Sequence, residues 1–416
     1  MNKGNRLKPA NLLGSLIDPY RGLPRSVYTL FIATVVNGMG IFVFPFMALI
    51  LSRRYGLSAK ETGDIVFLTT IAYIPGTLIG GRLADRFGRK RVMVISQFLC
   101  GAMFIPCGFL REPYLIAGFI IASVFFDGVT DPARTAMSTD VTTLENRQSA
   151  FSLLYLGHNL GFGIGQIIAG FLFAAAPAWL FWGNALAVGF TLILIGLHLP
   201  ESKPSEEAVQ ASLESDSSEK AHIGGLWSAL RSRPYLLVFA VLTSLYGFSY
   251  AQHRFAMPLQ ATSLFGDSGA RIYGFLMTLN ALCVIMFTTP IVAITKRYKP
   301  ISNVAASGML FAVGFGFLAL AKSPWLFFAS TFVWSLGEIV QATNESVYVS
   351  NHTPMSHRGR FNSVLPLISG VGFALSTPIG GRIIGAGGFS VLWIVVAGSA
   401  AVAAVGIWVL GRLEKR

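Results

Sequence analysis

Apolar residues along this chain gather into twelve long runs separated by short polar turns. They fall at about 27–51, 65–83, 92–110, 115–136, 151–173, 178–198, 235–259, 272–294, 302–321, 325–349, 361–384 and 389–410. Each approaches the ~20 apolar residues that cross a bilayer's hydrocarbon core as a helix. The longest polar stretch, 200–234, is rich in Glu, Ser and Lys and has no aromatic residue until Trp227. Such a segment buries too little apolar area to fold alone, and it divides the runs six and six. Within it, Leu226 to Arg233 is expected as a short helix on the membrane surface. The predicted order is an N-terminal arm (1–26), a first bundle (27–199), a linker (200–234), a second bundle (235–410) and a tail (411–416).

The two bundles repeat each other. A shift of 211 positions pairs Gly63 with Gly274, Arg86 with Arg297, Pro113 with Pro324, Arg147 with Arg358, Gly161 with Gly372 and Gly170 with Gly381. These matches fall at equivalent places in the pattern, namely loop turns, helix starts and packing glycines. The expected fold class is therefore an all-α membrane protein, twelve transmembrane helices in two pseudo-symmetric six-helix bundles.

Composition narrows the function classes. Hydrophobic residues make up 53% of the chain and charged residues 12%, about half the charged share of a soluble domain. The net charge of +13 does not point to nucleic acid, because the basic residues sit in short loops rather than on one soluble face. With the amino terminus placed inside, cytoplasmic segments hold 22 of the 32 Lys and Arg and external loops hold 6. That asymmetry places both termini in the cytoplasm of a multi-pass cell-membrane protein. The polar, basic first 26 residues show no small-residue cleavage site, so no removable signal peptide is expected. Cys100 and Cys107 lie two turns apart on one predicted helix and Cys283 on another; ~10 Å is too far for a disulfide, so all three read as core residues.

Ionisable side chains inside a bilayer are costly and face a cavity or a partner. Asp127 in the fourth run maps onto Glu338 in the tenth at the 211 offset. A low-dielectric surrounding favours the protonated carboxyl and a nearby cation the carboxylate, so an acid that alternates between them takes up and releases protons. No basic residue lies within one turn of either, which makes both proton-coupling candidates. Asp131 sits three residues before Arg134 and reads as its structural partner. His158 reads as a packing residue. His253 is a third proton-coupling candidate, and its neighbour Arg254 suits an anion or a pairing with Glu338. Asn37, Asp127, His253, Arg254, Glu338 and Gln341, on the first, fourth, seventh and tenth runs, are the substrate-binding candidates. The central acids favour cationic or neutral lipophilic cargo over anionic cargo. No metal cluster, phosphate-cradling loop or nucleophile triad is visible, so neither an enzyme nor a cofactor or metal is expected.

Residues 81–91 read Gly-Arg-Leu-Ala-Asp-Arg-Phe-Gly-Arg-Lys-Arg. This basic turn resembles the loop between helices 2 and 3 of the major facilitator superfamily, roughly Gly-x-Leu-Ala-Asp-Arg-x-Gly-Arg-Lys. The fifth run carries Gly157-x-x-x-Gly161-x-Gly163-x-Gly165, similar to the glycine motif of the superfamily's bacterial multidrug exporters, the twelve-span drug:proton antiporters. Two departures stand out. Phe162 occupies the place of the motif's proline, and Val124 that of the arginine four residues before the fourth-span glycine, Gly128. The resemblance implies proton-coupled efflux of amphipathic or drug-like small molecules by alternating access, with protons and membrane lipid as partners and a monomer as the working unit. The alternative it leaves open is a carrier for a sugar, peptide, siderophore or lipid with other coupling. It also implies that Gly81, Asp85, Arg86, Gly88, Arg89 and Lys90 form a conformational latch. Gly81 and Gly88 would let the helices turn and approach, Asp85 would meet the positive end of a neighbouring helix, and Arg89 would reach an acid on another span.

Overall fold

The computed structural model describes residues 20–142, 146–202, 234–352 and 358–414, and every regular element among them is helical. Most of the N-terminal arm, the linker from 203 to 233 with its expected surface helix, and the side chain of Asp85 lie outside the described residues. The first span consists of α1 (Arg25–Met39) and α2 (Val43–Leu49), prolonged by a π-helical turn. Then follow α3 (Ala59–Phe87), α4 (Arg89–Cys107), α5 (Pro113–Asp140), α6 (Arg147–Ala175) and α7 (Trp179–His198). The second half contains α8 (Pro234–Phe265), α9 (Asp267–Thr295), α10 (Pro300–Gly316), α11 (Pro324–His352) and α12 (Arg358–Leu413). Four of these, α5, α8, α10 and α11, open on a proline, whose fixed φ suits a first helical turn and whose missing N–H would be unpaired there anyway. At α3, Ser58 and Glu61 form a capping box, each side chain accepting from the other's backbone N–H.

Among the described residues, ten stretches are long and apolar enough to cross a membrane. One of them, Ile368–Leu413, breaks at Gly388, whose φ of 76° suits glycine alone, so the eleventh and twelfth runs are two helices. The tenth run, α11, falls outside the ten because Glu338, Gln341, Asn344 and Glu345 load it with polar groups. Most helices extend a few residues beyond the apolar runs. Leu78, Phe98, Leu197 and Ile394 are exposed on the bundle's outside, whereas Trp334, Trp393 and Tyr246 are fully buried. The chain thus offers apolar surface to its surroundings, as lipid demands.

Packing follows the repeat. In the first half α3 and α4 pack on α5, α4 packs on α7, and α1 packs on α6; in the second, α9 and α10 pack on α11, and α8 and α10 pack on α12. The halves meet where α6 lies against α9, α3 against α12, and α2 against α8. Four glycines of the repeat make the first two contacts possible. A Cβ on Gly63 would stand 2.3 Å from the Thr377 carbonyl oxygen, and one on Gly274 2.4 Å from that of Gln166. Their counterparts Gly381 and Gly170 face Ala59 and Ala270 at 2.4 and 3.0 Å. All four close the end of the molecule opposite the start of α1, called here the far end. Beside them the repeat diverges. Asp64 and Arg382 form an ion pair of 2.9 Å between α3 and α12, while the equivalent positions, Phe275 and Phe171, hold an edge-to-face ring pair between α9 and α6.

Backbone carbonyls cannot retreat from an added side chain, so Gly274→Leu is expected to hold the far end open in a folded protein. Ala270 is fully buried in that contact. A cysteine placed there should react slowly with a membrane-impermeant maleimide in the parent background and rapidly with Gly274→Leu. Equal rates in both backgrounds would contradict the closure described.

Candidate functional site

The midplane acids stand at the centre of two different networks. On α5, Asp127 Oδ1 accepts from Gln97 Nε2 at 3.1 Å, and Gln97 Oε1 in turn accepts from Asn37 Nδ2 at 3.5 Å. Arg134 lies 3.6 Å from Asp127 and 3.8 Å from Asp131. Spacing along the sequence pairs Arg134 with Asp131 alone. The structure adds Asp127, two turns back, because a helical side chain leans toward the N-terminus and arginine is long enough to cover both turns. Asn37, Gln97, Asp127 and Arg134 line a cavity of about 360 Å³ within the first half, together with His158 and Asn184.

Glu338 on α11 has no such cation. Its Oε1 accepts from the Tyr250 hydroxyl at 2.7 Å and its Oε2 from Asn280 Nδ2 at 2.6 Å, with Asn280 also donating to Ser335 at 3.0 Å. His253 is buried, with its ring stacked on Trp334 at 5.0 Å. Its Nδ1 bonds the Tyr250 carbonyl and its Nε2 accepts from Arg254 Nε at 3.2 Å. A carbonyl cannot donate and a guanidinium cannot accept, so these partners assign the neutral Nδ1–H tautomer. Gln341 donates to Glu345 at 2.8 Å rather than to Glu338.

A second cavity, of about 390 Å³, lies between the halves. Asp127 and Phe44 border both cavities, and Arg254 enters the second one from α8. Of the substrate-binding candidates, Asn37 and Asp127 line the first cavity and Asp127 and Arg254 the second; His253, Glu338 and Gln341 line neither. Next to these cavities the first span breaks between α1 and α2. There Phe42 N donates to Asn184 Oδ1 at 3.3 Å, and the Ile41 carbonyl accepts from Gln166 Nε2 at 3.0 Å. Side chains of neighbouring spans thus meet backbone groups that a continuous helix would have paired. The glycines of α6 seat it on α1, since a Cβ on Gly161 would stand 2.2 Å from the Val35 carbonyl.

The basic turn is a separate site. Gly88 has a φ of 100°, and a Cβ there would strike the Glu201 carboxylate. That carboxylate accepts from the Arg89 and Lys90 backbone N–H groups at 2.7 and 3.2 Å, an anion on the positive end of α4. The Arg89 side chain lies 3.3 Å from Asp140 at the end of α5, and Lys90 donates to the Gly196 carbonyl at 2.8 Å. Arg89 therefore reaches an acid on another span, as expected. Gly81 corrects the expectation: it lies inside α3 with nothing within 4 Å of an added Cβ, whereas Gly76 and Gly80 make the close approach to α5. Sequence reasoning missed Glu201, Asp140, Tyr250 and Asn280, whose roles come from helices brought together by folding. Asp140, an acid at the end of the fourth run, was the only one with a local signal.

With this geometry established, comparison with known proteins places the chain. A family model described as Major Facilitator Superfamily matches residues 30–268 and 253–416. An uncharacterized MFS-type transporter of Bacillus subtilis, YqjV, is 24% identical over 340 residues, 80% of either chain. A Na+, Li+, K+/H+ antiporter of Planococcus maritimus is 23% identical over 394 residues, 85% of this chain and 91% of the antiporter. In fold, the chain is similar to a crystal structure of a POT family transporter in complex with a thioalcohol-conjugated peptide. That match has a TM-score of 0.77 at 15% identity and covers 95% of this chain and 98% of the other.

The cap on α4 gives a direct test. Glu201→Ala should lower stability by about 1 kcal/mol, the usual worth of a helix cap, and Glu201→Gln, which keeps an oxygen acceptor, by less. The midpoint of thermal unfolding reads the order, and equal losses would contradict the capping role.

Proposed function

Because the chain belongs to the major facilitator superfamily, and is a membrane transporter rather than an enzyme, we propose that it exports amphipathic small molecules in exchange for protons by alternating access. The observation that carries this reading is the pair of midplane carboxylates, Asp127 and Glu338, at equivalent positions of the repeat. Each is hydrogen-bonded by neutral amide or hydroxyl groups inside the bundle. Such partners accommodate either protonation state, because an amide donates to a carboxylate and can rotate to accept from a carboxyl. Asp127 is the stronger candidate for the coupling step, since it borders the cavity between the halves. Protonation there weakens its hold on Arg134, which links charge to helix position. Glu338 is the second candidate. His253 ranks third, because both of its nitrogens are engaged in the neutral form.

Direction and coupling draw support from the glycine-bearing α6 and from the antiporter relative. With both termini in the cytoplasm, as the distribution of Lys and Arg favours, the far end is external and the closed arrangement faces inward. The Gly63, Gly170, Gly274 and Gly381 contacts then form the external closure, and the Arg89–Asp140 and Glu201 contacts of the basic turn brace the cytoplasmic side. The working unit is a monomer in the plasma membrane, each half moving as a body about the cavity.

In proteoliposomes, the Asp127→Asn, Glu338→Gln double variant should lose accumulation driven by a pH gradient yet retain exchange of labelled for unlabelled cargo. Accumulation of ordinary size in that variant would mean the proton travels elsewhere.

A further inference from the structure

The cavity between the halves contains a cation that forms no ion pair with the described residues. Arg254 is exposed to that cavity from α8, and no carboxylate of the described residues lies within 4.0 Å of its guanidinium. Its Nε is engaged by the neutral His253 ring at 3.2 Å, which leaves the two terminal nitrogens for the cavity. The acids that would attract a cation are already committed. Asp127, which lines the cavity from the first half, is held by Arg134 and Gln97, and Glu338, outside that lining, accepts from Tyr250 and Asn280. Elsewhere the wall is mostly apolar and includes four aromatic rings, Phe44, Tyr73, Phe255 and Phe373.

We propose that the cargo is an aromatic carboxylate, its anionic group held on Arg254 and its rings among Phe44, Tyr73, Phe255 and Phe373. A guanidinium at membrane depth without a partner is costly, and a bound carboxylate removes that cost through two charge-assisted hydrogen bonds. Arginine suits this role because its planar fork matches a carboxylate, and the His253 contact fixes which edge of the fork remains open. The aromatic walls recognise flat apolar surface, and about 390 Å³ accommodates a fused-ring acid within the range of ordinary ligand pockets. A cationic cargo would meet Arg254 and find no free carboxylate. The proposal thus departs from the preference for cationic cargo that the central acids suggest in the sequence.

The proposal rests on the transporter reading but is tested without a gradient. Binding to the purified full chain is measured by calorimetry for 2-naphthoate, 2-naphthamide and 2-naphthylmethylammonium, three probes of one shape and different charge. The carboxylate should bind about tenfold tighter than the amide, the usual worth of charge-assisted hydrogen bonds, and the ammonium weakest. Arg254→Gln should abolish the carboxylate's advantage while amide binding, which reports an intact cavity, persists; Arg254→Lys should restore part of it. Tighter binding of the ammonium, no binding of any probe, or an anion preference that survives Arg254→Gln would overturn the proposal. Anion-selective binding in a protein that shows no proton-driven export would instead fault the coupling reading alone.

Discussion

Hydrocarbon does not solvate a backbone amide or a charge, and the rest of this structure follows from that constraint. Every spanning element described is a helix, which satisfies its own backbone. Where the first span breaks, Asn184 and Gln166 take over the pairing of Phe42 and Ile41. Midplane charges turn inward for the same reason: Asp127 and Arg134 to each other, Glu338 to Tyr250 and Asn280. Arg254 has a neutral partner, His253, and faces the cavity between the halves. The cavity between the halves thus holds a guanidinium with no carboxylate of the described residues within 4.0 Å, and a carrier needs such a place for its cargo.

The repeat supplies the means of motion. Glycines equivalent under the 211-residue shift form both flanks of the far-end closure, so the two interfaces between halves are copies of one design. Dispersion across closely approaching backbones favours the closed state without covalent links, which keeps opening within thermal reach. The flanks are nevertheless unequal, with the Asp64–Arg382 ion pair on one side and the Phe171–Phe275 ring pair on the other. Salt screens the first and leaves the second nearly unaffected. The same divergence runs through the interior, where Arg134 of the first half corresponds to Glu345 of the second. Symmetry sets the hinge, and its violations set the chemistry.

The fold was largely legible in the sequence because its signals are local and numerous. Apolar runs announce spans, the constant offset announces two halves, and the basic turn around Gly88 announces its own geometry. The site was legible only as an inventory. Asp127, Glu338, His253 and Arg254 were recognisable as ionisable groups in apolar runs, but their partners come from other helices. Gln97 lies thirty residues from Asp127, and Asn280 fifty-eight from Glu338; no periodicity links such positions. Gly81 shows the opposite error, since it belongs to the motif yet borders open space, and its neighbour Gly80 makes the contact. Charge preference depends on those partners too. Counting central acids suggested a cationic cargo, whereas the hydrogen-bonded networks leave a guanidinium as the open charge.

The central claim is that the two halves rock about the cavity under the control of protonation. It is tested most directly by distances across the far end, which requires no knowledge of the cargo. Spin labels on cysteines replacing Lys60 and Gly385, both exposed near the closure, report separation between the halves by pulsed electron spin resonance; the native cysteines are buried. The account predicts two distance populations, one short and one long, whose ratio changes between mildly acidic and mildly alkaline buffer. A single short distance at both would contradict it.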